Sequence, residues 1–489
     1  MASDSLKEKT ARGLMWSSVG NGAQLVLGCV FGIFLARLLA PADYGMVGVL
    51  QVFLQIAALL QDSGFRQALA NRREFRHEDF NAVFWFNVAV AGALYAVLFF
   101  AAPLITQFYK QSGFTTGYDL DALTPLTRVC ALGFVVSAFG TAHSAYLFRT
   151  LQVKQKAIIT VTSLTVSNLV GITMALCGCS YWSLAVQSLV YVTSNSILFW
   201  HFSQWRPTWG ASFRPLREMF AFSSKLLATW IFNCINNNIL TVTLGRFYSI
   251  HDVGYFNQAA KWSNMGSNWL QGTVQEVAQP VLRGVSAERE RHKRVFRKML
   301  RFTSFLCFPA LFGLAFVAKE FIEITLTDKW LVSAELMQIL CACAFTVPIG
   351  NLCMNLVITK ERSDMVLKNT LGCGAAQLAA VFISHPYGIH VMVCAFAGVN
   401  VAWLFVYFLM VRREIGLKLR EALADMVPYA GLAGVSILIA SFAAELAGNI
   451  YARLLIKVAV TAGLYVGLMW LSGSVTFKES ISYLRGKLT

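Results

Sequence analysis

Seven polar side chains, Asn257, Lys261, Asn264, Asn268, Gln271, Gln275 and Gln279, follow one another at steps of three and four residues in a largely apolar stretch. That spacing places them on one face of a helix. An amide both donates and accepts hydrogen bonds, so the row suits a hydroxyl-rich ligand, and Lys261 adds a point charge for an anion. Lys225, Thr229, Asn233, Asn236 and Asn237 form a second row, again with a lysine near its start. Polar groups set in hydrocarbon without partners cost several kcal/mol each, so these faces must meet water, a polar ligand or another polar helix. Hydrogen-bonded glue between helices is the alternative to a wet cavity. Weaker rows occur at Ser17, Asn21 and Gln24, and at Gln51, Gln55 and Asp62. Asp62 and Glu276 lie near the inner ends of their apolar stretches, where a partly desolvated carboxylate could gate or couple to an ion by exchanging protons; ordinary interfacial solvation is the other reading.

Catalytic patterns are weak by comparison. The sequence contains no GxxxxGK[ST] phosphate loop. Asp119-Leu120-Asp121 is a lone DxD in a short loop, without the acidic surroundings that a metal or sugar-phosphate site needs. Cys177 and Cys179, like Cys341 and Cys343, have no further ligand at metal spacing, and the eleven cysteines read as small core residues. His143, alone inside a span, reads as a hydrogen-bonded helix contact. No catalytic residue, metal or cofactor is expected, and the chain is not read as an enzyme.

The elements that would hold the polar rows are membrane spans. Of 489 residues, 56% are hydrophobic and 13% charged, about half the usual ~25% charged fraction of soluble proteins. Apolar stretches long enough to cross ~30 Å of hydrocarbon recur along the whole chain and number about fourteen, among them 13–36, 44–61, 218–248 and 253–281. With the N-terminus cytoplasmic, 31 of the 41 lysines and arginines fall in inner segments, eight of them between Arg283 and Arg301. The positive-inside rule then puts both termini in the cytoplasm. The formal charge of +16 is an orientation signal and a face for anionic membrane lipid, and nucleic acid is not an expected partner.

A short pattern is written twice. Leu35-Ala36-Arg37 through Pro41, Asp43 and Gly45 recurs 209 positions later as Leu244-Gly245-Arg246 through Ile250, Asp252 and Gly254. Six spans separate the copies, so both share one orientation, as in transporters built from parallel repeats. The expected architecture is an all-α polytopic membrane protein with two six-helix lobes, residues 1–205 and 206–411, and a C-terminal helix pair with a cytoplasmic tail, 412–489. Spans one, two, seven and eight would line a cavity between the lobes. Lys225 lies about seven residues into its span, ~10 Å deep, and Lys261 is similarly deep from the outer side; both either meet an anionic headgroup or snorkel to the nearer interface. Arg37 and Arg246, at outer helix ends, either pair with Asp43 and Asp252 to hold the turn or join the substrate contacts.

At this point the ordered set of motifs resembles a known family. The first span followed by LARLLAPADYG, then QDSGFRQAL and NRREFRHEDFNAVFWFN, YWSLAVQ, the second LGRF with DVGYF, and Asp328-Lys329-Trp330 resemble bacterial polysaccharide exporters of the Wzx type. These belong to the multidrug/oligosaccharidyl-lipid/polysaccharide exporter superfamily. The resemblance extends to roughly residue 420. It implies a flippase in the bacterial inner membrane that moves undecaprenyl-diphosphate-linked oligosaccharide by alternating access for lipopolysaccharide or other surface polysaccharide. The polysaccharide polymerase and chain-length machinery are then downstream partners. Lys225 and Lys261 would take the diphosphate, and Asn233, Asn236, Asn257, Asn264, Asn268, Gln271 and Gln275 the glycan. Family members often carry Asp before the second Gly-Arg; here Asn236-Asn237-Asn238 stands there, and no ion-coupling role is carried over to it. A cation-coupled drug exporter of the same superfamily is the alternative and would call for an acidic, aromatic cavity. A membrane glycosyltransferase or polymerase would call for a large acidic outer loop.

Overall fold

The computed structural model describes residues 2–62, 76–110, 120–150, 152–210, 214–285, 288–360, 362–474 and 477–478, and of their side chains all but those of 2–14, 214–226, 228, 229, 273–280 and 363. Among the described residues there is no strand. Fifteen helices follow in chain order: α1 (Ala2–Leu38), α2 (Pro41–Asp62), α3 (His77–Lys110), α4 (Leu123–Arg149), α5 (Val153–Leu176), α6 (Trp182–Phe202), α7 (Arg214–Phe247) and α8 (Ile250–Gly284), then α9 (Arg289–Leu326), α10 (Leu331–Cys343), α11 (Thr346–Thr359), α12 (Ser363–Ser384), α13 (Ile389–Ile415), α14 (Leu419–Glu445) and α15 (Ile450–Leu471). The fold is all-α. Eleven stretches, judged on the described residues, are long and apolar enough to cross a membrane. The fourteen stretches expected from the sequence each overlap a helix, the tenth, 331–358, being shared by α10 and α11. Its break follows from Pro348, which has no N–H to give the Ala344 carbonyl, and from Thr346 Oγ1, which donates to the Cys343 carbonyl at 2.8 Å. α6, α7 and α8 fall outside the eleven. Their amides lower the apolar content, so polarity, not length, sets them apart.

Helix ends are specified locally. α2 starts with Pro41, whose fixed φ suits a first helical residue, and Asp43 reaches back to accept the Ala40 N–H at 2.8 Å. At the start of α8 the arrangement is complete: Asp252 Oδ2 accepts the Ser249 N–H at 3.1 Å, and Ser249 Oγ accepts the Asp252 N–H at 3.2 Å. This is a reciprocal capping box, in which two amide groups otherwise left open are satisfied. Asn449 caps α15 by accepting from the Tyr451 N–H at 3.0 Å, and Gly416 ends α13 in the left-handed region at φ 69°.

The chain forms two compact units, Met1–Gly254 and Tyr255–Thr489. In the first, α3 packs on α4, α4 on α6, α5 on α1 and α6, and α7 on α2 and α3. Its core holds an aromatic box of Phe84, Trp200 and Trp205 around the fully buried His143, whose ring lies 4.6 Å from that of Trp200. The expected hydrogen-bonded role of His143 is corrected here: neither ring nitrogen finds a hydrogen bond among the described residues, because aromatic faces surround it. In the second unit α9 is central, contacting α10, α14 and α15, while α13 joins α11 and α12. Large apolar side chains remain exposed along outer faces, among them Phe100, Leu104, Phe442, Leu455 and Trp470. For a multi-pass membrane protein these are lipid-facing positions.

Two amide pairs stitch helices at related places. Gln187 on α6 donates to Asn168 on α5 at 2.8 Å, and in the other unit Gln377 on α12 donates to Asn400 on α13 at 2.8 Å. Asn168 and Gln377 are 209 positions apart, the same interval as the duplicated turn.

Candidate functional site

α8 owes its orientation in the second unit to its apolar face. Trp262 packs edge-on against Phe321 of α9, with centroids 5.2 Å apart. Gly266 faces Leu314 so closely that a Cβ there would stand 2.9 Å from Leu314 Cδ2, and Leu270 joins Cys307 and Leu311 in an apolar cluster. Positions 262, 266 and 270 step by four, so the row 257, 261, 264, 268, 271 is turned away from α9. Asn264 and Asn268 are exposed, while Asn257, Lys261 and Gln271 are half-buried. Lys261 Nζ lies 5.3 Å from the centre of the Trp262 ring, at the edge of the row. The side chains of Gln275 and Glu276 lie outside the described residues, as does that of Lys225.

This exposure separates cavity from glue. An amide that ties two helices is buried between them, as Asn168 and Gln377 are. Asn264 and Asn268 are on no such seam. An exposed amide this far along a helix, ~21 Å from its start at 1.5 Å per residue for Asn264, is tolerable only beside water or a polar ligand.

The row on α7 divides differently. Asn238 Nδ2 donates to Gln55 Oε1 of α2 at 2.9 Å and to the Cys234 carbonyl at 2.8 Å, so the α2 row meets α7 as interhelical glue at that level. Asn233 and Asn236 are half-buried and Asn237 is exposed; the buried Oδ1 of Asn236 takes no hydrogen bond among the described residues. Asn21, Gln24 and Gln51 are exposed, and Asp62 is half-buried at the end of α2.

Arg246 of the duplicated turn behaves otherwise than a simple ion pair predicts. Arg246 donates to the Phe108 carbonyl and lies 5.0 Å from the centre of the Phe108 ring. It does not pair with Asp252, whose carboxylate is used by Ser249 Nα–H and Oγ. Asp43 likewise caps Ala40 and accepts from Ser180 Oγ. The expectation that Arg246 holds the turn through Asp252 is therefore corrected: the aspartate is a helix cap, three residues past the cap position. Arg37 is exposed in the last turn of α1. In the DxD, Asp121 is ion-paired with Lys110 at 2.5 Å, and Asp119 lies outside the described residues.

Three features escape sequence spacing. Gln258, 1% exposed, has neither end of its amide partnered among the described residues; it sits one residue off the row, and only its adjacency to Asn257 hints at it. Asp425 on α14, 3% exposed, accepts from Arg297 Nε at 2.6 Å and Nη2 at 3.0 Å and from Arg301 Nε at 2.6 Å. Lys457 on α15 pairs with the buried Glu320 of α9 at 2.8 Å. These ties fix α14 and α15 to α9, and their partners are more than 120 residues apart.

Comparisons with known proteins place this geometry. The chain is 24% identical over 436 residues to the lipopolysaccharide biosynthesis protein WzxC of Escherichia coli (strain K12), covering 86% of this chain and 85% of that protein. It is 21% identical over 364 residues to the teichuronic acid biosynthesis protein TuaB of Bacillus subtilis (strain 168), covering 74% and 73%. Among solved structures, the inward closed conformation of the lipid II flippase MurJ shares the fold with a TM-score of 0.73 at 13% identity, covering 96% of this chain and all of that one. The family described as polysaccharide biosynthesis protein matches residues 34–335, more than half of the sequence, and the chain belongs to that family.

Proposed function

We propose that this protein is a flippase that carries undecaprenyl-diphosphate-linked oligosaccharide repeat units from the cytoplasmic to the outer leaflet of the bacterial inner membrane, for surface polysaccharide or lipopolysaccharide synthesis. The observation that carries the reading is the exposed amide row of α8, set opposite its packing face and flanked by Lys261. Sugar hydroxyls donate and accept, and each Asn or Gln answers both. Lys261 and Lys225 supply positive charge for the diphosphate, which a compact ammonium meets as a point charge. The polyprenyl tail stays in lipid beside the exposed apolar faces. Membership of a polysaccharide biosynthesis family and likeness to WzxC and TuaB support a glycan cargo over a cationic drug.

In this reading residues 1–205 and 206–411 are six-helix lobes that rock about the path, 412–489 is an added helix pair, and both termini are cytoplasmic. The amide pairs at Asn168 and Gln377 support a duplicated architecture. Arg37 and Arg246 act at the outer mouth, Asp62 and Glu276 at the inner one, and the flipped unit passes to the polymerase and chain-length machinery.

The test is a deletion strain lacking any second flippase. Loss of surface polymer with accumulation of the lipid-linked oligosaccharide on the cytoplasmic side is expected, and unchanged polymer and intermediates would overturn the reading. Replacing Lys225 and Lys261 together with Gln is expected to give the same phenotype at normal protein levels; undiminished polymer would remove the headgroup role.

A further inference from the structure

The duplicated turn meets its own copy. A Cβ added at Gly45 would overlap the carbonyl of Ile250, standing 2.8 Å from its carbon and closer still to its oxygen. A Cβ added at Gly254 would overlap the carbonyl of Pro41, 2.6 Å from its carbon. Pro41 and Ile250 are 209 positions apart, as are Gly45 and Gly254. The contact is thus reciprocal: the glycine of each copy rests on the first-residue carbonyl of the other, an approach that only a residue without Cβ allows.

Both turns are held rigid. Asp43 and Asp252 cap them, Asp43 is itself bound by Ser180, in the turn before α6, and Tyr109 Oη donates to the Val49 carbonyl at 3.0 Å. Gly245 completes the set, because a Cβ there would stand 2.8 Å from both the Tyr109 ring and Val49 Cγ1. In the contact itself the glycine Cα–H groups face carbonyl oxygens, an attraction weak enough to break and remake.

We propose that this glycine pair is the outer latch of the transport path: the first turns of α2 and α8 lock backbone to backbone while the outer end is closed and part when it opens. The inference rests on the flippase reading for its purpose, since the positive-inside topology places both turns on the outer side. Its geometry has a definite consequence. A single methyl at either glycine is incompatible with the locked arrangement and compatible with the parted one, so Gly45→Ala and Gly254→Ala shift the protein toward outer opening, and the double variant adds little to either single one.

The readout is labelling by a membrane-impermeant maleimide added from outside to full-length protein carrying Asn264→Cys, with the exposed native thiols Cys177 and Cys394 replaced by Ser. Gly45→Ala and Gly254→Ala are each expected to raise the labelling rate at least threefold. Gly28→Ala, where a Cβ meets nothing within 4 Å, is expected to leave it unchanged. Equal rates in all variants at normal folded levels would overturn the latch. Should the alanine variants fail to fold, hydrogen exchange of the unsubstituted turns decides: on adding lipid-linked oligosaccharide, peptides covering 41–45 and 250–254 are expected to gain exchange together, and a gain in one alone overturns the proposal. Faster labelling in a protein whose deletion leaves surface polymer intact would keep the latch and reject the flippase; unchanged labelling in a protein that polymer requires would do the reverse.

Discussion

Two ion pairs of nearly equal length should differ greatly in worth. Asp121 pairs with Lys110 at 2.5 Å with side chains 72% and 43% exposed, and Asp425 pairs with Arg297 and Arg301 at 2.6 Å while itself only 2% exposed. Removing the first carboxylate, Asp121→Ala, returns Lys110 to water, and exposed pairs contribute about 0–1 kcal/mol. Removing the second, Asp425→Ala, strips three hydrogen bonds from two guanidiniums that are 28% and 43% exposed. Breaking a fully buried pair costs roughly 3–5 kcal/mol; allowing for the partial hydration of both arginines, about 2 kcal/mol is expected here. At about 2–4 °C per kcal/mol for a unit of this size, that is a fall in Tm of roughly 4–8 °C. The assay is thermal unfolding of the detergent-solubilised protein, with both variants beside the parent. A drop for Asp425→Ala no larger than for Asp121→Ala would refute the reasoning, because it would mean that burial of the carboxylate does not control the cost of losing it. Arg297→Met with Asp425→Leu should recover part of the loss, since an apolar pair leaves no uncompensated charge on that side.

The other expectations are briefer. Lys457→Met leaves Glu320 buried without its ammonium partner and should lower Tm more than Glu320→Leu with Lys457→Met together, measured in the same melts. His143→Leu should leave Tm unchanged or raise it, because the imidazole nitrogens find no hydrogen bond among the described residues within their aromatic box. Asn264→Leu with Asn268→Leu should leave Tm within about 0.5 kcal/mol equivalent, as expected of substitutions away from packed features, yet abolish surface polymer; a large Tm loss would return these residues to the role of glue.

The spans were legible because hydrocarbon thickness dictates their length and backbone hydrogen bonding dictates their helicity. The amide row of α8 was legible for the same kind of reason, a period of 3.6 in a polar minority. Sequence spacing could not distinguish an amide that binds its neighbour from one that faces water: Gln55 of the α2 row bonds Asn238, which lies outside the α7 row, while Gln51 and Asn237 are exposed. That depends on helix rotation, which the packing of side chains such as Trp262 and Leu270 sets. The duplicated Arg-x5-Asp spacing invited a salt bridge, but capping is a three-residue relation and Ser249-x-x-Asp252 satisfies it locally. Asp425 and Lys457 gave no signal of their partners, since those lie on α9 far away in sequence.

The proposed latch and the proposed binding row differ in how far they follow the internal repeat. Among positions that recur at an interval of 209, Gly45 and Gly254 make backbone contacts, Asn168 and Gln377 bond neutral amides, and the charged Asp43 and Asp252 are used as helix caps. Lys261 has no charged counterpart at that interval, since the residue 209 positions before it is Val52, whereas Asn264 corresponds to Gln55, an amide already bound to Asn238. A symmetric cavity would present the same groups to both ends of an asymmetric ligand. A lipid-linked diphosphate sugar is anionic at one end and neutral at the other, so a path that carries the charge of Lys261 on one side only fits it better than one built alike on both sides. On that reasoning, transferring a lysine into the first half as Val52→Lys should not strengthen transport and should lower it, because Val52 is 6% exposed and the new ammonium would have to be buried without a carboxylate; surface polymer at matched protein levels measures the outcome, and an increase would count against the asymmetry.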